Sequence, residues 1–165
     1  MAKVGIIMGS KNDFEVAESA ISVLKEFGIE YEVIVSSAHR TPERTGEWSR
    51  TADERGLSAI IALAGAAAHL AGVIASETNV PVIAVPISAT SMQGIDALYA
   101  MVQMPGGIPV ATMAIGKAGA KNAGIFAAQI IGRSDKAMYD KLLAYREAMK
   151  EKVYKDNEAL QAELK

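Results

Sequence analysis

The chain has 165 residues, no cysteine, half its residues apolar, and 17 basic against 19 acidic side chains for a net charge of −2. That is enough sequence for one domain with a real core, and the balance excludes a disordered chain, a disulfide scaffold and a thiolate metal site. No Lys/Arg stripe of the kind that neutralises phosphates along a duplex is present, so nucleic acid is not an expected partner; no 18-residue apolar run spans a bilayer, so neither is a membrane, and the cytoplasm is the expected compartment.

In chain order, Val4–Met8 is a short apolar run that ends at Gly9-Ser10-Lys11-Asn12-Asp13. Being apolar on both faces, it reads as a buried parallel strand. Phe14, Ala17, Ile21, Leu24 and Phe27 then recur at helical spacing, and Gly28 stands where a left-handed cap closes the helix. A second strand, Tyr31–Val35, leads into Ser37-Ala38-His39-Arg40-Thr41; Thr41 as N-cap and Pro42 at the first helical position open a helix expected to run to Gly56. A third strand, Ala59–Ala64, meets Gly65-Ala66-Ala67-Ala68-His69, with a helix expected from about Ala67 to Glu77. Val82–Pro86 and Val110–Ile115 complete five strands, and helices are expected near 91–103 and 118–131.

Strict alternation of strand and helix implies right-handed crossovers and an α/β fold of three layers: a five-stranded parallel sheet in flavodoxin-like order with helices on both faces. The first 132 residues form this domain. Residues 133–165 read as one long C-terminal helix of the same domain, whose stripe of Met138, Leu142, Tyr145, Met149, Val153, Leu160 and Leu164 calls for a neighbouring subunit.

Open parallel sheets bind ligands at the carboxyl ends of their strands. That edge collects the chain's two histidines, His39 and His69, with Arg40, Asp13, Ser10 and small residues. The near-neutral titration of imidazole suits proton transfer, a helix N-terminus with Ser10 suits an anion, and the Asp13 carboxylate suits sugar hydroxyls. Each feature also has a plain structural reading: a polar turn capped by Ser10, Asn12 or Asp13, a surface ion pair at Arg40, a hydrogen-bonded structural histidine. Two histidines and one carboxylate are too few for a typical metal site, and neither a dinucleotide fingerprint, a P-loop nor a GxSxG elbow is present.

"GSKND", "SAHRTP", "AAHL" and "VQMPGGIPV" together resemble the catalytic subunit of phosphoribosylaminoimidazole carboxylase, the N5-carboxyaminoimidazole ribonucleotide mutase family, over nearly the whole chain. The resemblance implies an isomerase of purine biosynthesis. It moves a carboxylate from N5 of an imidazole ribonucleotide to ring carbon C4 by decarboxylation and recarboxylation, without ATP, metal or organic cofactor, in a cytoplasmic homo-octamer of flavodoxin-like subunits. It places catalysis on His39 and ribonucleotide binding on Ser10, Asp13 and Arg40, with Gly9, Asn12, Ser37, Ala38, Gly65, Ala67, His69 and Leu70 around them. Leu63, Ala66 and Ala71 depart from the family's glycine-richer third loop. Two alternatives stand beside this reading: a carboxylase of the same fold that takes free CO2, and a non-enzymatic receiver-like module, which lacks its acidic set here.

Overall fold

In the computed structural model, which describes residues 2–164, the five strands are β1 (Lys3–Met8), β2 (Glu30–Val35), β3 (Leu57–Gly65), β4 (Val82–Ile87) and β5 (Ala111–Thr112). They lie in the order β2-β1-β3-β4-β5, all parallel. The helices are α1 (Phe14–Phe27), α2 (Pro42–Arg50), α3 (Leu70–Glu77), α4 (Ile95–Val102), α5 (Lys117–Gly132) and α6 (Lys136–Glu163). Successive residues of β3 explain why its sequence lacks polar alternation. Ala59, Ile61 and Leu63 enter the core beneath α1 and α5, whereas Ile60, Ala62 and Ala64 enter the core beneath α2, α3 and α4.

Small residues set the helix spacing on the first face. A Cβ on Gly124 of α5 would sit 2.9 Å from the Val23 Cβ of α1, so the two helices approach as closely as hydrogen at that position permits. On the other face Trp48 of α2 lies over Gly5 of β1, where an added Cβ would come within 2.7 Å of the indole. Arg55 covers the same ring at 5.0 Å and donates to Glu32 at 3.0 Å, which ties α2 to the β2 edge.

Several helix limits differ from the sequence expectation, each for a local reason. The second helix stops at Arg50 instead of Gly56, because the chain descends through turns in which Gly56 N–H bonds the Asp53 carbonyl at φ +73°. The third starts at Leu70, not Ala67, since Ala66 and Ala68 have φ of +53° and +42°. The fourth starts at Ile95, because Gln93 and Gly94 are also left-handed. Thr41 occupies the N-cap of α2 without capping it. The fifth strand shrinks to two residues: Pro109 offers no N–H, and beyond Thr112 only Met113 and Gly116 bond to β4, through the Ala84 and Pro86 carbonyls.

α6 has 28 residues and is therefore about 42 Å long. Its apolar stripe serves two surroundings. Met138 and Leu142 are buried in the subunit's own core and Tyr145 packs on Phe27 at 5.4 Å, but Met149, Val153, Leu160 and Leu164 face solvent.

Candidate active site

The carboxyl ends of β1, β2 and β3 deliver three loops to one edge of the sheet, as the parallel topology requires. Gly9 continues β1 by donating to the Leu63 carbonyl, and the chain then makes one 3-10 turn over Lys11–Asp13. Ser10 caps that turn, accepting from the Asn12 N–H at 3.2 Å. Asp13 is only 8% exposed, and burial raises its carboxyl above the ordinary value against the opposing effect of a backbone hydrogen bond from Ser10.

The second loop is tied down from beneath by hydroxyl groups. Ser36 N–H bonds the Met8 carbonyl, while the Thr41 hydroxyl donates to the Ser37 carbonyl at 3.0 Å and accepts from the Ser37 N–H at 2.9 Å. That double bond to Ser37 is why Thr41 does not cap α2. Thr45 donates to the Thr41 carbonyl, leaving the buried Ser36 hydroxyl to donate to Thr45 Oγ1 at 2.8 Å. This buried network is invisible to periodicity, and it makes the loop a rigid mount for His39 and Arg40.

Arg40 joins the first two loops. Its Nη2 donates to the Gly9 carbonyl at 3.1 Å and its Nε to Ser37 Oγ at 3.4 Å, so one edge of the guanidinium is held by the protein and Nη1 remains for an anion.

His39 and His69 meet edge to face, with ring centroids 5.0 Å apart and His39 Nε2 2.9 Å from His69 Nδ1. The contact carries one hydrogen, so one imidazole donates and the other accepts. His39 keeps Nδ1 for a ligand. The third loop brings His69 there by a tight turn in which Ala68 N–H bonds the Gly65 carbonyl, with Ala66 in left-handed conformation.

These loops enclose an open cleft of about 380 Å³. Gly9, Ser10, Asp13, Ser37, Ala38, His39, Arg40, Gly65, Ala67, His69 and Leu70 all line it, whereas Asn12, though expected at the site, does not. Ala64, Ala66, Ala68 and Ala89 also line it and give that part of the cleft an apolar character. Ala89, which follows β4, belongs to a fourth loop that the sequence reading passed over; the same strand-end rule points to it. A larger hollow of about 590 Å³ lies between α5 and α6, but it is lined mainly by Phe126, Ile125, Tyr145 and Met149 and holds no histidine or carboxylate. Both histidines line the smaller cleft, which makes it the candidate site.

The arrangement offers a proton-transfer group, an anion donor, a buried acceptor for hydroxyls and an apolar wall within one small volume. The chain also resembles known proteins along nearly its whole length. The chain is 50% identical over 161 residues to the N5-carboxyaminoimidazole ribonucleotide mutase of Thermotoga maritima, covering 98% of this chain and 93% of that one. The mutase of Bacillus subtilis is also 50% identical, over 95% of this chain and 97% of its own. The crystal structure of Treponema denticola PurE superposes with a TM-score of 0.86 at 32% identity, covering 97% of this chain and 99% of that one. With the sequence model of AIR carboxylase matching residues 3–152, the chain belongs to the AIR carboxylase family.

Proposed function

We propose that the protein is an isomerase of purine biosynthesis that converts N5-carboxyaminoimidazole ribonucleotide into 4-carboxy-5-aminoimidazole ribonucleotide, with His39 as its acid-base group. The observation that carries the reading is the His39 imidazole set in one cleft with Ser10, Arg40 and several alanines. The full-length relatives of about 50% identity carry that activity in their names.

The ribonucleotide enters with its phosphate toward Arg40 Nη1 and the Ser10 turn, and its ribose hydroxyls toward Asp13. Protonated His39 gives its proton to N5 as the N–C bond breaks, and the electron pair of that bond stays on nitrogen. The products are aminoimidazole ribonucleotide and CO2. The 5-amino group makes C4 nucleophilic, and C4 forms the new C–C bond to CO2. Neutral His39 then removes the hydrogen from C4, which restores the aromatic ring and the protonated imidazole together. One proton leaves His39 and one returns, so no external acid, base or ATP is consumed.

The apolar wall suits the middle of this sequence. CO2 carries no charge and gains nothing from hydrogen-bond donors, whereas water in its place would allow escape as bicarbonate. Held in the cleft, it remains next to C4 at an effective concentration far above that in solution.

A homo-octamer in the cytoplasm completes the proposal. The outer half of α6 exposes Met149, Val153, Leu160 and Leu164 beside the apolar hollow between α5 and α6, a surface suited to neighbouring subunits. No helix of residues 2–164 is long and apolar enough to cross a membrane. The activity is tested by supplying the purified protein, without ATP, with N5-carboxyaminoimidazole ribonucleotide in one reaction and aminoimidazole ribonucleotide with bicarbonate in another. Fast conversion of the first and slow conversion of the second is expected. The reverse order assigns the protein to the carboxylase that uses free CO2.

A further inference from the structure

The cleft's apolar wall draws on a loop that no proton transfer or phosphate contact uses. Residues 88–94 join β4 to α4, and among them only Ala89, an exposed residue, lines the cleft. Behind it the packing leaves no slack. A Cβ built on Gly65, the last residue of β3, would stand 2.5 Å from the Ala89 Cβ and 3.1 Å from the Ile87 carbonyl oxygen. The Ala89 methyl therefore cannot retreat toward the sheet.

Nor is the loop free to swing away. The Thr90 hydroxyl donates to Asp96 Oδ2 at 2.8 Å and accepts from the Met92 N–H at 3.1 Å, so the residue after Ala89 is bonded to the first turn of α4. Gln93 and Gly94, at φ +53° and +88°, close the loop in a conformation that the Met92 carbonyl secures by accepting from Ile95 N–H. With Gly65 on one side and the loop bonded in place, the cleft that Ala89 lines is the space into which a larger side chain at position 89 is expected to extend.

We infer that Ala89 is a specificity-determining residue: its methyl sets the depth of the end of the cleft that holds the migrating carboxyl group, and so decides whether a carboxylated nucleotide is accepted. The inference rests on the proposed reaction. The phosphate and ribose groups, Arg40, Ser10 and Asp13, stand on the first and second loops. The alanine wall of the third and fourth loops is left for the substituent that changes between substrate, CO2 and product. Added carbon there collides with the carboxyl and leaves the remainder of the nucleotide untouched.

The test compares two nucleotides on the wild type and on Ala89→Val and Ala89→Ser, using equilibrium binding of aminoimidazole ribonucleotide and of 4-carboxy-5-aminoimidazole ribonucleotide. In Ala89→Val the carboxylated nucleotide should bind about 10- to 100-fold more weakly, the range that one or two misplaced methyl groups produce in a packed pocket. The nucleotide without the carboxyl should bind within about twofold of wild type. Ala89→Ser adds a single atom, so it provides the same comparison if the valine variant does not fold, with a smaller selective loss. Equal weakening of both nucleotides in the folded variants, or no weakening of either, overturns the assignment. Binding decides this independently of turnover: a wild type that binds both nucleotides yet fails to isomerise the N5-carboxylated compound refutes the proposed reaction and leaves the Ala89 comparison intact.

Discussion

Replacing His39 by Asn preserves a planar side chain with hydrogen-bonding atoms and removes only the ability to hold a mobile proton. In the proposed cycle the same imidazole protonates N5 and later deprotonates C4, so the substitution strikes both halves of the reaction. Loss of a positioned acid-base group costs about 10²–10⁴ in rate, and kcat should fall by at least the lower figure. His69 supplies the contrast. Its bond to His39, 2.9 Å long, is charge-assisted when His39 is protonated; because it is solvent-exposed it lies at the low end of such bonds, about 1.5 kcal/mol, which corresponds to about 10-fold. His69→Asn should thus lose no more than about 10-fold in kcat. The assay follows C4-carboxylation under single-turnover conditions without ATP, with product-nucleotide affinity measured in parallel to show that each variant still binds. Should His39→Asn retain more than a tenth of wild-type kcat, or His69→Asn lose as much as His39→Asn, the assignment of proton transfer to His39 is wrong.

Asp13→Asn tests the buried carboxylate. Because its folded pKa is raised above the unfolded value of 3.8, ionisation costs stability that is absent below 3.8 and grows as pH rises through the folded pKa. The variant should melt higher than wild type at pH 7 and equal to it at pH 3, with a raised KM; a lower Tm at pH 7 contradicts the burial argument. Gly119→Ala should destabilise by more than about 3 kcal/mol, a Tm loss on the order of 10 °C, since the new Cβ would lie 1.6 Å from the Ala114 carbonyl oxygen. Gly106→Ala, with nothing within 4 Å of its added Cβ, is the matching control in the same thermal scan. Truncation after Met149 leaves the buried Met138 and Leu142 in place but removes Val153, Leu160 and Leu164. It should preserve the circular dichroism of the fold and lower the subunit count in native mass spectrometry, and an intact octamer would refute the role given to that segment.

How much of this was readable beforehand depends on which force decides each element. The parallel sheet followed from alternation of type and from runs such as Ile60–Ala64, which are apolar on both faces because both faces of β3 are buried. The candidate site came from one topological rule that sends every strand-to-helix loop to the same edge. What escaped was backbone conformation set by packing. In Ala66-Ala67-Ala68 the best helix-forming residue is repeated three times, yet two of the three are left-handed, held by the turn that carries His69 to His39. The Thr41 hydroxyl likewise had a sequence reason to cap α2 and instead holds Ser37. Ala89 was passed over because a methyl group announces no chemistry; only its place against Gly65 gives it a consequence.

The central claim is that the carboxyl group migrates within one bound complex, and its carbon can be followed directly. Substrate labelled with 13C in the N5-carboxylate is converted in buffer containing unlabelled CO2 and bicarbonate, without ATP, and the 4-carboxylated product is examined by mass spectrometry after one turnover. Nearly all product is expected to keep the label, because CO2 confined beside C4 is captured before it leaves. Product carrying mostly unlabelled carbon would show that CO2 equilibrates with solution between the two half-reactions, and the intramolecular transfer assigned to this cleft would not stand.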